Sequence, residues 1–281
     1  MMASMASPTP PILTSFANPR VKAASALRDR RERDLSGLTL IDGARELRRA
    51  LDAGIVVTEV FVCEALLAGP NARAVLDRLG AAGTTIRPTS EPVFMKLAFG
   101  ERAEGFVAVA SIPSTALSGL TLPDDALIAV IEGVEKPGNL GAVMRSADGA
   151  GADAVIAASA RADLFNPNAI RASAGTVFSV PLGAATTPEV LAWLRKNEVR
   201  LVAARVEADR LYTEADLTGR LAVVLGAEAD GLTGAWIGDD VEDVRLPMLG
   251  VADSLNVSVS AAILLYEARR QRGVPRQSTG G

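Results

Sequence analysis

The second half of the chain contains a series of short apolar segments that alternate with helical patterns, and this series constrains the fold most strongly. From residue 125 onward, strands are indicated by the segments ALIAVIEGV, ADAVIAA, TVFSVPL, VRLVAARV, LAVVLGAE and DVRLPM, which lack a regular alternation of polar and apolar residues. Such strands are buried on both faces, as in parallel sheets that helices cover on both sides. The sequence therefore predicts an α/β fold with a mostly parallel sheet.

The part of the chain before this series predicts a smaller α/β/α unit. A basic helical segment opens it, and shorter strand and helix patterns follow. The next residues, 114–124, are rich in Ser, Thr, Gly and Pro, which is typical of a linker. We therefore expect domains at 12–113 and 125–272, joined by this linker, with disordered tails at 1–11 and 273–281.

The chain of 281 residues contains no histidine and one cysteine, Cys63. The lack of histidine excludes His-based acid–base catalysis and, with a single cysteine, nearly every zinc site, so we expect no metal. One cysteine also excludes an internal disulfide framework and fits the reducing cytoplasm, where we expect the protein to be located. No window reaches the roughly 18 apolar residues of a membrane helix, so we expect no membrane partner.

The net charge of −4 conceals a basic segment at 20–49. This segment holds nine Lys or Arg residues against five acids, a local excess of four positive charges. A basic patch on an acidic protein is typical of a phosphate-binding surface. A solvated helix face, on which opposite charges pair four residues apart, explains the segment equally well.

Polar side chains follow strand ends at three places. In IEGVEKPGNLGAVMRSADGAG, Asn139 is placed to cap a helix, and Arg145 lies off the apolar stripe of that helix. The glycines match neither the dinucleotide fingerprint nor the phosphate-binding P-loop. In LAVVLGAEADGLT, Gly226 allows a ligand or another backbone to approach closely. Glu228 follows at the carboxyl end of the strand, where ligands of open α/β sheets bind.

The third place is VRLPMLGVADSLNVSVS, where a strand, a loop and the last helix follow one another. Asp253 or Ser254 can cap this helix. Asn256 lies at its start, where free backbone N–H groups favour a polar or anionic guest. Taken one at a time, these residues are as well explained by ordinary helix capping.

The order of the three segments resembles the SpoU (TrmH-like) branch of the SPOUT superfamily, which consists of S-adenosylmethionine-dependent RNA ribose 2′-O-methyltransferases. The string SLNVSVSAAILLYEA is the most specific match. The resemblance is strong over 126–272 and weaker up to residue 110, where the chain is similar to the ribosomal-protein-L30-like RNA-binding domain of rRNA-modifying members. It implies a deep C-terminal trefoil knot and a homodimer. The cofactor-binding residues that it implies are Gly226, Leu246, Met248 and Leu255.

The resemblance also implies a set of catalytic residues, which are Asn139, Arg145, Glu228, Ser254 and Asn256. The implied reaction is an in-line attack of a ribose 2′-oxygen on the sulfonium methyl group. Arginine stays charged because its pKa exceeds about 12. Our hypothesis is therefore that Arg145 clamps the phosphate and stabilises the developing alkoxide, and a role as general base stays open. Glu135 and Lys136 stand where many members have Asp and Pro, which leaves the chemistry intact.

Two other functions stay open at this stage. A non-catalytic SPOUT protein that binds RNA or assists ribosome assembly would keep the fold, although all five polar site positions are present. An NAD-linked oxidoreductase would need the glycine fingerprint that the chain lacks. The small N-terminal domain favours 23S rRNA over tRNA as the substrate. Housekeeping methylation and protection against a ribosome-targeting antibiotic remain alternatives.

Overall fold

The chain forms two sheets, one in each of the units into which its structure divides, Met1–Ile112 and Pro113–Gly281. The computed structural model describes residues 10–67, 70–99, 104–227 and 230–273. Both tails that the sequence predicts to be disordered lie outside the described residues, apart from residues 10, 11 and 273.

The first unit holds a four-stranded sheet in the order β1-β4-β2-β3, in which β2 and β3 run parallel and the other neighbours antiparallel. The sequence does not predict α5, because this short helix depends on burying Val93, Phe94 and Leu97 in the core of the unit. The elements are α1 (Pro19–Ala26), α2 (Arg30–Ser36), β1 (Leu38–Asp42), α3 (Ala44–Asp52), β2 (Val57–Val62), α4 (Pro70–Ala81), β3 (Thr85–Pro88), α5 (Glu91–Leu97) and β4 (Phe106–Ser111).

The second unit holds a six-stranded sheet in the order β10-β8-β9-β5-β6-β7, in which all neighbours run parallel. The predicted α/β fold with a mostly parallel sheet is confirmed. The elements are β5 (Leu127–Glu132), α6 (Pro137–Ala150), β6 (Ala154–Ala158), α7 (Pro167–Ala172), β7 (Leu182–Ala185), α8 (Thr187–Lys196), β8 (Arg200–Ala204), β9 (Leu221–Leu225), β10 (Val241–Val244) and α9 (Val257–Gln271).

Both faces of the second sheet are covered, as strands without alternation require. On one face, Ile128 and Val130 of β5 pack with Leu194 of α8 and the fully buried Trp236. The residues that point to the other face, such as Ile131, are equally buried, and α9 contacts β5 and β9. No helix in the described ranges is both long enough and apolar enough to cross a membrane.

One predicted strand of the second unit is misplaced. The segment TVFSVPL forms a 3-10 helix at Thr176–Phe178, and the strand β7 begins only at its last residue, Leu182. The side chain of Ser173 explains the difference, because its Oγ accepts hydrogen bonds from the backbone of Gly175 (3.1 Å) and Val177 (3.4 Å) and holds the chain in a tight turn.

The residues 114–124, predicted as a linker, pack against the second sheet. Leu117, Leu120 and Leu122 lie against its core. The backbone N–H of Ala184 donates to the carbonyl oxygen of Thr115 (2.8 Å). Gly183 leaves room for this packing, since a Cβ atom there would lie 2.8 Å from a methyl group of Leu117.

Arginine side chains at the end of α9 bind it to the rest of the second unit. Arg269 donates to the carbonyl oxygens of Ala150 and Gly151 (both 2.7 Å), which caps the carboxyl end of α6 with a positive charge. One turn on, Arg272 donates to the carbonyl oxygen of Gly219 (2.6 Å). The first of these bonds fix α9 to the carboxyl end of α6, and the last fixes the end of α9 to the segment before β9.

Candidate active site

The amino ends of α6 and α9 lie together, although they are 117 residues apart in the chain. Asn139 is in the first turn of α6, and Asn256 is the N-cap of α9. The Nδ2 atom of Asn256 donates to Oδ1 of Asn139 at 3.4 Å, which is a long hydrogen bond. Asn256 Oδ1 in turn accepts from the backbone N–H of Ser258 (2.9 Å). Two of the predicted catalytic residues are thus neighbours, and one of them also starts the helix.

A cavity of about 370 Å³ lies at the carboxyl ends of β8 and β9, next to this pair. All four residues predicted to bind the cofactor line it, together with the predicted catalytic residue Ser254. A second cavity of about 300 Å³ shares Ala227 and Val257 with the first, and its other lining residues are Ile131, Val134, Glu135, Lys136 and Asn139. Six of the predicted site residues therefore line two adjacent cavities of the second unit, and they are Asn139, Gly226, Leu246, Met248, Ser254 and Leu255.

The need for glycine at position 226 comes from the protein backbone. A Cβ atom on Gly226 would lie 2.1 Å from the carbonyl carbon of Gly231, which is closer than atoms can approach. The chain folds back here, and the N–H of Gly231 donates to the carbonyl oxygen of Ala227 (3.0 Å). Of the two explanations that the sequence allows, close approach of a backbone is the one that the structure shows.

Glu132 is a buried carboxylate at the end of β5 that sequence reasoning missed. It is 4% exposed. Its oxygens accept hydrogen bonds from the backbone N–H of Thr233 (2.8 Å), the hydroxyl of Thr233 (2.9 Å) and the hydroxyl of Thr187 (2.8 Å). Glu132 thereby ties β5 to the loop that follows Gly231 and to the start of α8. The feature of the sequence that could have indicated this role is the single carboxylate at the end of the apolar strand LIAVIE.

Ser159 extends this network to the end of β6. Its φ angle of 45° lies in the left-handed region, which is uncommon for a residue other than glycine. The Oγ atom of Ser159 accepts from the backbone N–H of Thr187 (2.9 Å) and lies 3.0 Å from the Thr187 hydroxyl. We call Glu132, Ser159, Thr187 and Thr233 the β5 network. Strained residues that are held by such bonds are frequent beside functional sites.

Arg145 does not join Asn139 and Asn256. Six residues of helix separate it from Asn139, which corresponds to about 9 Å along the axis and about 120° around it. Its side chain is exposed and has no hydrogen bond or ion pair with any described residue. Within the described part of this single chain, Arg145 therefore does not contact the two asparagines that the resemblance groups with it. Glu228, the fifth predicted catalytic residue, lies outside the described residues.

Arg145 lies on a helix face of small residues. Gly138, Ala142, Arg145 and Gly149 recur at spacings of four, three and four along α6 and share one side of it. The adjacent face of α9 exposes Val259 and Tyr266, and the loop before it exposes Leu249 and Val251 almost completely. The Tyr266 hydroxyl fits against Gly149, since a Cβ atom there would lie 2.8 Å from it. We call these eight residues the α6–α9 face.

The basic segment 20–49 of the first unit is neutralised in part. Arg33 is 1% exposed and donates to the carbonyl oxygen of Leu27 (2.6 Å). Arg30 pairs with Asp34 (3.5 Å), and Arg45 pairs with Glu46 (2.6 Å). Basic side chains that remain exposed without a described carboxylate partner are Arg20, Lys22, Arg28, Arg31 and Arg48.

The described residues contain no group of three or more His, Cys, Asp or Glu side chains arranged to hold a metal ion. Charged groups around the larger cavity are mainly acidic, with Asp230 and Asp253 in its lining. The one arginine of the described lining, Arg205, donates through Nε to Asp243 (3.1 Å).

Comparisons with known proteins agree with the two units. Residues 126–266 match the SpoU rRNA Methylase family, and residues 18–108 match an MRM3-like substrate binding domain. The 23S rRNA (guanosine-2′-O-)-methyltransferase RlmB of Bordetella pertussis is 35% identical over 221 residues, which cover 77% of this chain and 90% of that protein.

Two crystal structures resemble the whole chain. A structure described as an RNA 2′-O ribose methyltransferase is 46% identical, with a TM-score of 0.83, and the match covers 94% of this chain and 100% of that one. The SpoU methyltransferase AviRb from Streptomyces viridochromogenes, in complex with the cofactor AdoMet (S-adenosylmethionine), is 30% identical, with a TM-score of 0.82 and coverage of 91% and 98%.

Proposed function

Because the chain belongs to the SpoU rRNA methylase family, we propose that it transfers a methyl group from S-adenosylmethionine to a ribose 2′-hydroxyl of 23S rRNA. The observation that carries this proposal is the cavity at the carboxyl ends of β8 and β9, beside the Asn139–Asn256 pair. A binding site at the strand ends of a parallel sheet, next to two helix starts, suits a small polar ligand. In this proposal the protein is located in the cytoplasm, which is consistent with a 23S rRNA substrate.

The cavity fits the methyl donor in size and charge. Its volume of about 370 Å³ lies in the range of sites for small ligands. Leu246, Met248 and Leu255 offer apolar surface to a flat adenine ring, and Asp230 and Asp253 place negative charge near a ligand with two positive groups. When bound, S-adenosylmethionine supplies a methyl group on a positively charged sulfur. The chain between β9 and α9 would carry the knot that the resemblance implies.

In this proposal the chain's own residues hold and activate the ribose. Asn139 and Asn256 present amide groups beside the cavity, where they can orient a hydroxyl by hydrogen bonds. Arg145 keeps its positive charge and can clamp the neighbouring phosphate and stabilise the oxygen as it loses its proton. Ser254 and Glu228 complete the hydrogen-bond network in the same proposal.

The position of Arg145 favours a homodimer that shares its sites. An exposed cation on the otherwise small and apolar α6–α9 face has no partner among the described residues, and it lies away from the asparagines of its own chain. The almost fully exposed Leu249 and Val251 are typical of residues that a partner covers. We therefore propose that Arg145 of one copy faces the cavity of the other.

The main experiment combines binding and mapping. Calorimetric titration with S-adenosylmethionine should show binding, and 2′-O-methyl groups mapped in rRNA from cells with and without the gene should differ at one nucleotide. The Arg145→Lys variant keeps the charge and loses the bidentate fork, so turnover should fall about 100-fold while S-adenosylmethionine binding is unchanged. Binding without any methylation difference would favour a non-catalytic RNA-binding protein instead.

Mixing two inactive variants tests the shared site. A dimer of one Arg145→Ala chain and one Gly226→Ala chain would contain one complete site if Arg145 serves the partner's cavity. Random mixing should then restore about a quarter of the wild-type activity. No recovery in a mixture shown to exchange subunits would mean that each chain uses its own Arg145.

A further inference from the structure

Two of the seven phenylalanines of the chain are not buried, and both lie at the same place in the first unit. Phe16 is 47% exposed, and Phe99 is partly exposed. The others are at most 8% exposed, and they are Phe61, Phe94, Phe106, Phe165 and Phe178. An unburied ring gains little of the free energy that burial supplies, so this pair of rings calls for an explanation beyond folding.

Each of the two rings has a cation over its face. The ammonium of Lys96 lies 5.2 Å from the ring centre of Phe16, and the guanidinium carbon of Arg28 lies 4.4 Å from that of Phe99. Arg28 also donates to the carbonyl oxygens of Lys96 (2.6 Å) and Ala98 (3.2 Å). These contacts join the four side chains into one surface, the aromatic–cation patch, which consists of Phe16, Arg28, Lys96 and Phe99.

The two cations of the patch are held in place without being neutralised. Arg28 is fixed by carbonyl oxygens, which carry no net charge, and Lys96 rests on a ring. Neither has an ion pair with a described carboxylate. Arg20 and Lys22, both exposed, lie on α1, which packs against the helix α5 that carries Lys96. The patch thus combines fixed planar groups with uncompensated positive charge.

We propose that the aromatic–cation patch binds unpaired nucleotides of the RNA substrate, with a base stacked on Phe16 and phosphates at Lys96 and Arg28. Aromatic rings bind bases of single strands by stacking, and neighbouring cations follow the phosphate backbone. The bases of a duplex are already stacked on each other, so the patch selects single-stranded RNA. This inference rests on the proposed function for its partner, and it deepens that function by naming where the first unit holds the substrate and in which form.

The test uses the full-length protein and a fluorescent single-stranded RNA of mixed sequence, compared with the duplex that it forms with its complement. The single strand should bind more tightly. Phe16→Ala should weaken this binding about tenfold, and Phe16→Trp, which restores a ring, should retain it. Lys96→Ala should lower the slope of log affinity against log salt concentration by about 1, which corresponds to the loss of one phosphate contact. Leu35→Ala, which removes another exposed apolar side chain of the same unit, is the matched control and should bind like the wild type.

Wild-type affinity of Phe16→Ala for the single strand would overturn the proposal, as would an equal loss in Leu35→Ala or equal binding of the duplex. Displacement of the RNA by poly-glutamate as effectively as by unlabelled RNA would instead indicate a site for acidic peptides. S-adenosylmethionine titration of the same samples separates the two proposals. Lost methyl-donor binding would refute the proposed function alone, whereas unchanged RNA binding in Phe16→Ala would refute the patch alone.

Discussion

Two regions next to the candidate cavities differ in how firmly the chain itself holds them: the β5 network, which lies beside the lining residues Ile131 and Gly231, and the segment 249–256. On one side, the β5 network is buried, and Glu132 accepts three hydrogen bonds from two other segments. On the other side, residues 249–256 are exposed throughout, and Asn256 donates a long hydrogen bond of 3.4 Å to Asn139. One side of the site is thus complete within a single chain, and the other is open.

We expect the β5 network to support the loop after Gly231, which lines the cavity, and the exposed segment 249–256 to line the cavity and also to meet large partners. A loop that is already held in place by such a network need not be ordered when the methyl donor arrives. An open wall with almost fully exposed Leu249 and Val251 is suited to cover by a second chain and by RNA. Substitutions in the β5 network should therefore change the stability and ligand affinity of the single chain. Substitutions in the exposed segment should change mainly its association with a second chain or with RNA.

The largest effect is expected for Gly226→Ala. The added methyl group cannot fit 2.1 Å from the backbone of Gly231, so the loop beside the cavity must move. A displacement of about 1 Å can cost about 100-fold in rate, and we expect calorimetry to show weaker binding of S-adenosylmethionine as well, because the moved loop lines its cavity. The control is Gly250→Ala, where nothing lies within 4 Å of the added atom. Equal S-adenosylmethionine affinities of the two variants would show that the loop can move without affecting the cavity.

Glu132→Ala should come next. It leaves the groups of Thr187 and Thr233 without their acceptor, and hydrogen bonds to a charged group are worth about 2–3 kcal/mol of unfolding free energy. Urea unfolding measures this loss, and S-adenosylmethionine affinity should fall with it. Glu132→Gln offers an oxygen to the Thr233 N–H and an amide to the hydroxyls, so it should recover most of both. A Gln variant as weak as the Ala variant would mean that charge, and not geometry, holds the network.

Asn256→Ala should have a smaller effect on stability, because it removes one helix cap, which costs about 1 kcal/mol. Methyl transfer should fall much further than stability, since the contact with Asn139 is lost as well. Asn166→Ala removes the corresponding cap of α7, which does not line the described cavities. It should cost similar stability in urea and leave the methylation rate unchanged. If the methylation rate fell equally in both variants, Asn256 would act as a structural helix cap without a separate role in methyl transfer.

The smallest effect on the single chain is expected for Leu249→Ser. The side chain is 97% exposed, so the free energy of unfolding of the dilute protein should change by less than about 0.5 kcal/mol. Sedimentation should show weaker association, because the substitution removes apolar surface from the α6–α9 face. A large loss of stability without any change in association would show that Leu249 stabilises the single chain. It would contradict the proposal that a partner covers this segment.

Much of the fold could be predicted because its signals are local. The apolar runs of β5, β6, β8 and β9 are buried on both faces, and such strands show no alternation. Prediction failed where side chains outside a segment decide its conformation. The segment at 176–182 has strand-like composition, but the hydroxyl of Ser173 holds its start in a turn, and α5 forms because a sheet is present to bury it.

The candidate site was predictable only as a set of residues. The motif order selected Asn139, Asn256 and the four residues that line the cavity, and the structure brings these together. Their partners were not predictable, since Glu132 acts through Thr233, which lies 101 residues away. A lone carboxylate after an apolar strand is visible in the sequence, but its hydrogen bonds are not.

The sequence by itself determined the kind of protein, through the strand pattern, the absence of histidine and the order of three short segments. These features follow from residue types and their spacing along the chain. Only the tertiary structure decided which of these residues meet. It buried Arg33 and brought Lys96 to Phe16 and Arg28. Burial and pairing depend on the positions of residues far apart in the chain, and those positions arise only when the whole chain packs.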